Sequence, residues 1–277
     1  MYTEKQSQPL SKTRRAAEVD FELELEQFEL LPLEVVQTFP RSGELGKDSL
    51  GWCVASDRFE YLAKTSRHRN DLPMTEWICT HLYAACGLET APCRVITWPD
   101  KDVVFGSRRL GKSLVVAPGI QLSTKYIDAM GSFVLWKILA LDWFVGNFDR
   151  RQAQFACFHD SQGMPQARPI DFSRASILRE IKTLPDPFSG KTDMATHRFA
   201  RYIFQRYGRI ADVVAVEEML HTIGQISEEK LVGWIQSAPQ EWVVPHLTAA
   251  LVDFWQSPKR LQRIDRVRQG IRGESLF

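Results

Sequence analysis

The segment Ser132–Val145, SFVLWKILALDWFV, is apolar on nearly every side and ends at Gly146. A helix without a polar face has to be wrapped by other elements, so this stretch predicts a buried central helix in a layered domain. It is too short to span a bilayer and carries Lys137 and Asp142, which argues against a membrane segment. A chain of 277 residues, 44% hydrophobic and 25% charged, has enough material to surround such a helix.

The two sides of that helix differ in character. Upstream, Leu33–Phe39 (LEVVQTF) reads as a strand, and Gly51–Lys64 as two short strands around a turn at Asp57-Arg58. CRVITW follows Pro92, and VVFGS follows a Pro-Asp-Lys-Asp turn. One helix interrupts them: TEWICTHLYAACG, with apolar Ile78, Leu82 and Cys86, a stop at Gly87, and Glu76 in its first turn. A polar loop, SGELGKDSLG, separates the first two strands and carries Gly43, Gly46 and Gly51. After Pro118-Gly119 the pattern is helical, apart from a hairpin of QFACFHD and QARPIDF around Ser161-Gln162-Gly163. Four or five amphipathic helices are expected from about Thr196 to Gly270. The reading is an α+β chain: a flexible polar arm over 1–20, a β-rich part over 21–115 with one helix, and a helical part over 116–277.

Composition narrows the function classes. A net charge of +1 gives no global pull toward nucleic acid or an anionic membrane. The basic run Lys259–Arg272 reads as a solvated helix face. Five cysteines without a C-x-x-C pair point to reduced thiols in a cytoplasm rather than to zinc ligands. The opening residues, MYTEKQSQPLSKTRR, show no signal-peptide pattern.

VFGSRRLGKS (Val104–Ser113) matches the phosphate-loop pattern G-x-x-x-x-G-K-[ST]. Such a loop needs a helix opening at its Lys-Ser, because the phosphates rest on that helix's free N–H groups. LVVAPG follows instead, β-branched and reaching Pro-Gly within six residues, so no helix can run there and a P-loop NTPase is disfavoured.

A stronger pattern is GNFDRRQAQ (Gly146–Gln154) followed by PIDFS (Pro169–Ser173). Asp149 follows the buried helix, Gln154 stands five residues later, and Asp171 comes after the hairpin. Phosphoryl transfer uses one carboxylate to orient the attacking hydroxyl, and a second carboxylate with an amide oxygen to hold Mg²⁺ on the nucleotide phosphates. Lys64 ends a strand and Glu76 begins the next helix, a pairing that would aim an ammonium group at the phosphates.

Together YLAK, TEW, VFGSRRL, GNFDRR and PIDFS resemble the HipA-like serine/threonine kinases, over roughly residues 30 to 200. The resemblance implies a bilobal protein-kinase-like fold with ATP and Mg²⁺ as cofactors, a protein substrate and a regulatory partner protein. It implies Asp149 as the catalytic carboxylate and Gln154 and Asp171 as metal ligands. It also implies Lys64 and Glu76 at the phosphates, Gly43 and Gly46 in the loop covering them, and Ser107, Arg108, Arg109 and Leu110 at adenine. The sequence departs from the family at three positions: Gln154 for Asn, Arg151 where His is frequent, and Ser173 where many kinases have Gly. Gln154 keeps the amide oxygen on a longer stem, so the expectation is retained activity that is sensitive to magnesium. A nucleotide-binding pseudokinase acting as an interaction module is the alternative, with lipid or small-molecule phosphorylation behind it.

Overall fold

Five short strands rich in β-branched and small residues close into a barrel: β1 (Leu33–Thr38), β2 (Ser49–Ala55), β3 (Glu60–Lys64), β4 (Cys93–Thr97) and β5 (Val103–Arg108). In this computed structural model, which describes residues 31–39, 48–67, 69–110, 124–188, 194–208 and 211–272, the strand order is β1-β2-β3-β5-β4. Neighbours pair antiparallel except β1 with β4, where Leu33 lies opposite Ile96 in a parallel register. Burial alternates along β2, so Cys53 and Ala55 meet Tyr61, Ala63, Ile96 and Val104 inside the barrel. Arg58 turns the chain between β2 and β3 with φ +68°, at the predicted place.

Gly106 sits in the middle of β5, paired with Ala63 on one side and Arg94 on the other. A Cβ there would lie 2.3 Å from Ile96 Cδ1, so the glycine lets the isoleucine pack against the backbone. This placement also weakens the phosphate-loop reading. The first glycine of that motif should leave a strand, whereas here the strand continues through Arg108. Gly111 to Ser113 lie outside the described residues, as do the 1–20 arm, the 115/116 boundary, and Gly43 and Gly46.

Helix α1 spans Leu72–Ala85 and begins earlier than the TEW opening predicted. Pro73 suits the first turn because its fixed φ is helical and its missing N–H is not needed there. The Thr75 N–H and hydroxyl both bond to the Asp71 carbonyl, each at 2.8 Å. Glu76 therefore stands in the second turn, a correction to the sequence reading.

Helix α2 spans Thr124–Val145 and is broken at Gly131 (φ 73°, ψ 160°), so its second half is the apolar segment Ser132–Val145. Ile138 through Val145 are all buried. Gly146, at φ +70°, ends the helix as expected and reverses the chain. Strands β6 (Phe155–His159) and β7 (Pro165–Pro169) form the expected hairpin, but β7 stops before Asp171. Pro169 has no N–H to extend the ladder, and Asp171 adopts a left-handed φ of +61°.

The remaining helices are α3 (Ala195–Tyr207), α4 (Val213–Gln225), α5 (Glu228–Ser237), α6 (Pro245–Gln256) and α7 (Pro258–Arg272), making seven among the described residues. One hydrophobic core joins α2 to these helices, to Trp77, Ile78 and Leu82 of α1, and to Val95 and Phe105 of the barrel wall. Indole N–H groups tie the two parts together: Trp77 Nε1 donates to Trp234 O at 2.9 Å and Trp242 Nε1 to Val103 O at 2.7 Å. Among the described residues no helix is long and apolar enough to cross a membrane.

Candidate active site

The chain leaves α2 at Gly146 and passes Asn147 and Asp149 before a short 3₁₀ turn, Gln152–Gln154. What holds this turn is a buried ion pair that the sequence reading did not identify. Arg150 is fully buried and donates through Nε to Asp142 Oδ2 (2.7 Å) and through Nη2 to Oδ1 (3.0 Å). Tyr83 Oη (2.7 Å) and Asn147 Nδ2 (2.6 Å) also donate to Asp142 Oδ1. Burial opposes the charge of Arg150, but Asp142 outweighs it and raises the guanidinium above its usual range. The signal was present: an aspartate inside an apolar helix needs a cation.

Arg150 also joins the two halves of the site. Its Nη1 donates to Gln154 O at 3.0 Å and to Ile170 O at 2.7 Å, just before Asp171. Thr196, at the start of α3, braces the same turn by accepting from Arg150 N–H (2.9 Å) and donating to Asn147 O (2.7 Å).

Around this frame the predicted residues converge. Lys64 Nζ, at the end of β3, bonds Glu76 of α1 and lies 2.7 Å from Asp171 Oδ1. Gln154 Nε2 is 3.4 Å from Asp171 Oδ2 and 3.4 Å from Asp149 Oδ2. Lys64, Glu76, Asp149, Gln154 and Asp171 thus form one connected set. Glu76 Oε1 accepts from Phe172 N–H at 3.1 Å, and Arg69, paired with Asp71, donates to Ser173 O. Three groups from the barrel side therefore grip residues 171–173, which helps to hold Asp171 in its left-handed conformation.

The electrostatics follow from this packing. Burial opposes the charge on Lys64, yet Asp171 and Glu76 outweigh it and raise the ammonium above its ordinary range. Burial raises Glu76 above a normal glutamate, partly offset by Lys64. For Asp171 the cost of burial is overcome by Lys64, which holds the carboxyl well below the usual carboxylate range. Asp171 keeps 37% of its side chain exposed.

The other predicted positions lie apart from this cluster. Ser107 pairs within the sheet, opposite Leu62 and Cys93. The Arg108 and Arg109 N–H groups are already given to Pro92 O and Glu60 O, each at 2.8 Å. Their side chains face the barrel surface: Arg108 stacks on Phe59 and Arg109 pairs with Glu60 at 2.7 Å. Of the four residues assigned to adenine, Leu110 follows the end of this ladder.

A divalent cation fits the chemistry of this corner. Asp149 and Asp171 each turn one oxygen toward Gln154 Nε2, and Asp171, held ionised by Lys64 and 37% exposed, is the kind of hard oxygen donor that Mg²⁺ takes. Among the described residues no three His, Cys, Asp or Glu side chains gather into a protein-only metal cage. Mg²⁺ needs none when substrate phosphates complete its shell.

A strand lysine set between a helix glutamate and an aspartate, beside a second aspartate, is the arrangement kinases use for phosphoryl transfer. The chain belongs to the HipA-like kinase family, whose model matches residues 37–267. The fold is similar to that of the proinflammatory kinase CtkA of Helicobacter pylori, with a TM-score of 0.55 and 14% identity over 89% of this chain and 100% of that one. HipA of Shewanella oneidensis MR-1, solved with HipB and its operator DNA, aligns at a TM-score of 0.47 and 12% identity, over 100% of this chain and 75% of that one. No curated protein sequence matches.

Proposed function

We propose that this protein transfers the γ-phosphate of ATP to a hydroxyl group of a protein, serine or threonine by resemblance to its family. The observation that carries the reading is the contact chain Glu76–Lys64–Asp171–Gln154–Asp149, which gathers residues from β3, α1, the post-α2 turn and the post-β7 segment. The barrel with α1 acts as a nucleotide-binding lobe, the helical remainder is the second lobe, and ATP enters the cleft between them. Lys64 neutralises phosphate oxygens, held in place by Glu76. Asp149 accepts a hydrogen bond from the acceptor hydroxyl and orients it. Asp171 offers a carboxylate oxygen to Mg²⁺, with Gln154 beside it. Bound Mg²⁺ would neutralise charge on the phosphates during transfer. Adenine is recognised from the Leu110 end of the β5 segment, because the preceding N–H groups are spent in the sheet.

Purified protein incubated with labelled ATP and Mg²⁺ tests this reading beside Asp149→Asn and Asp171→Asn. Transfer should fall by several orders of magnitude in both, with nucleotide affinity nearly unchanged in Asp149→Asn. Loss of nucleotide binding without a specific loss of turnover would refute the assigned roles. One observation favours a pseudokinase: Asp149 Oδ1 is engaged by Arg151, with Nε at 3.0 Å, and Oδ2 faces Gln154. Under that reading nucleotide binds and no phosphate is transferred.

A further inference from the structure

We propose that Gln154 serves as a hydrogen-bond donor between Asp149 and Asp171 rather than as a metal ligand, so that the protein takes its nucleotide with one divalent cation, carried by Asp171. The inference rests on the phosphotransfer reading and departs from the metal role that the family resemblance implied for this residue.

The orientation of the amide carries the argument. Gln154 Oε1 accepts the backbone N–H of Arg151 at 3.1 Å, closing the start of the 3₁₀ turn as a cap. Its Nε2 then faces the two carboxylates at 3.4 Å each. Turning the amide over would set an NH₂ group against the Arg151 N–H, leaving two donors facing each other in a site only 9% exposed. Metal ligation needs the oxygen on the carboxylate side, which is the side the cap forbids. The residue cannot slide to escape this, because its own carbonyl accepts from Arg150 Nη1 and Ile170 N–H, each at 3.0 Å.

The extra methylene of glutamine decides the outcome. A longer stem lets the amide oxygen fold back to the residue 151 N–H, and the NH₂ group then fills the point where the acceptor oxygens converge. In a site that uses two Mg²⁺ ions, the aspartate and the amide each hold them. With the amide acting as a donor, only the aspartate-held ion remains.

The test counts Mn²⁺ bound per molecule of a non-hydrolysable ATP analogue, by the loss of the free-ion electron paramagnetic resonance signal. Wild-type protein should take one Mn²⁺ per nucleotide. Gln154→Glu keeps an oxygen for the Arg151 N–H and puts an acceptor where the donor stood, so it should take a second. Two ions in the wild type would overturn the proposal, and so would a Gln154→Glu protein that still takes one. If that variant fails to fold, the wild-type count decides alone. Absence of nucleotide binding would have a different signature, removing the phosphotransfer reading and this inference with it.

Discussion

The ammonium of Lys64 lies 2.7 Å from Asp171 Oδ1, a bond between residues 107 positions apart that joins the end of a barrel strand to the segment after the hairpin. Glu76 shares the same ammonium, so one cation balances two carboxylates in a largely buried place. Replacing Lys64 with Met should therefore leave Glu76 uncompensated, at a cost of about 3–5 kcal/mol. Urea unfolding should show this loss, and a second change, Glu76→Gln, should recover part of it. A double variant no more stable than the single one would show that Glu76 is not the group stranded.

Arg150 and Asp142 are both fully excluded from solvent, and Arg150 bridges the Gln154 and Ile170 carbonyls. Arg150→Leu should destabilise the fold by about 3–5 kcal/mol, because a buried carboxylate loses its counter-ion. Arg150→Leu with Asp142→Leu should be more stable than Arg150→Leu alone. Equal midpoints in denaturant for the single and double variants would contradict the pairing.

Gly106→Ala tests whether this glycine serves packing. Its Cβ would meet Ile96 Cδ1 at 2.3 Å, Ile96 Cγ1 at 3.0 Å and Tyr61 Cδ1 at 3.2 Å. The expected loss is about 1–3 kcal/mol from overpacking. Adding Ile96→Val removes Cδ1 and should restore part of the thermal stability. A phosphate-loop glycine would behave otherwise, losing nucleotide affinity with no rescue from residue 96.

His197 gives a pH dependence. Burial among Trp143 and Phe188 lowers its pKa below the usual 6.5. The unfolded chain then binds a proton more readily than the folded one, so stability is full above about 6.5 and declines as pH falls through the lowered folded value. His197→Phe should flatten that decline in melting curves between pH 7.5 and 5.5. An unchanged slope would place the titration elsewhere.

The strands, the hairpin and the central helix were legible because alternation, turn residues and the apolar run are local properties. The start of α1 was misplaced because Pro73 can open a helix as readily as it can end one. Asp149, Gln154, Asp171, Lys64 and Glu76 were readable from order and spacing, and the fold brings them together. The Asp142–Arg150 pair was in plain view as a charge in an apolar helix, yet its partner was not identified. Arg69 reaching Ser173 O is a contact across 104 positions that leaves no trace in either local sequence. The way the Gln154 amide faces depends on one backbone N–H, which no residue type reveals.

The indole of Trp77 bound to the Trp234 carbonyl has a consequence for how this protein can be controlled. Swinging α1 away from the helices would strip that N–H of its acceptor, part Glu76 from Lys64, and leave Phe172 N–H unpaired. At a net of about 0.5–1.5 kcal/mol for the neutral bond and about 1.5–3 kcal/mol for each of the two made to the Glu76 carboxylate, the swung state lies about 4 kcal/mol or more uphill and holds fewer than about one molecule in a thousand. The lysine–glutamate pair is thus assembled before any ligand arrives. A regulator that works by expelling this helix would have to supply that difference from its own binding energy.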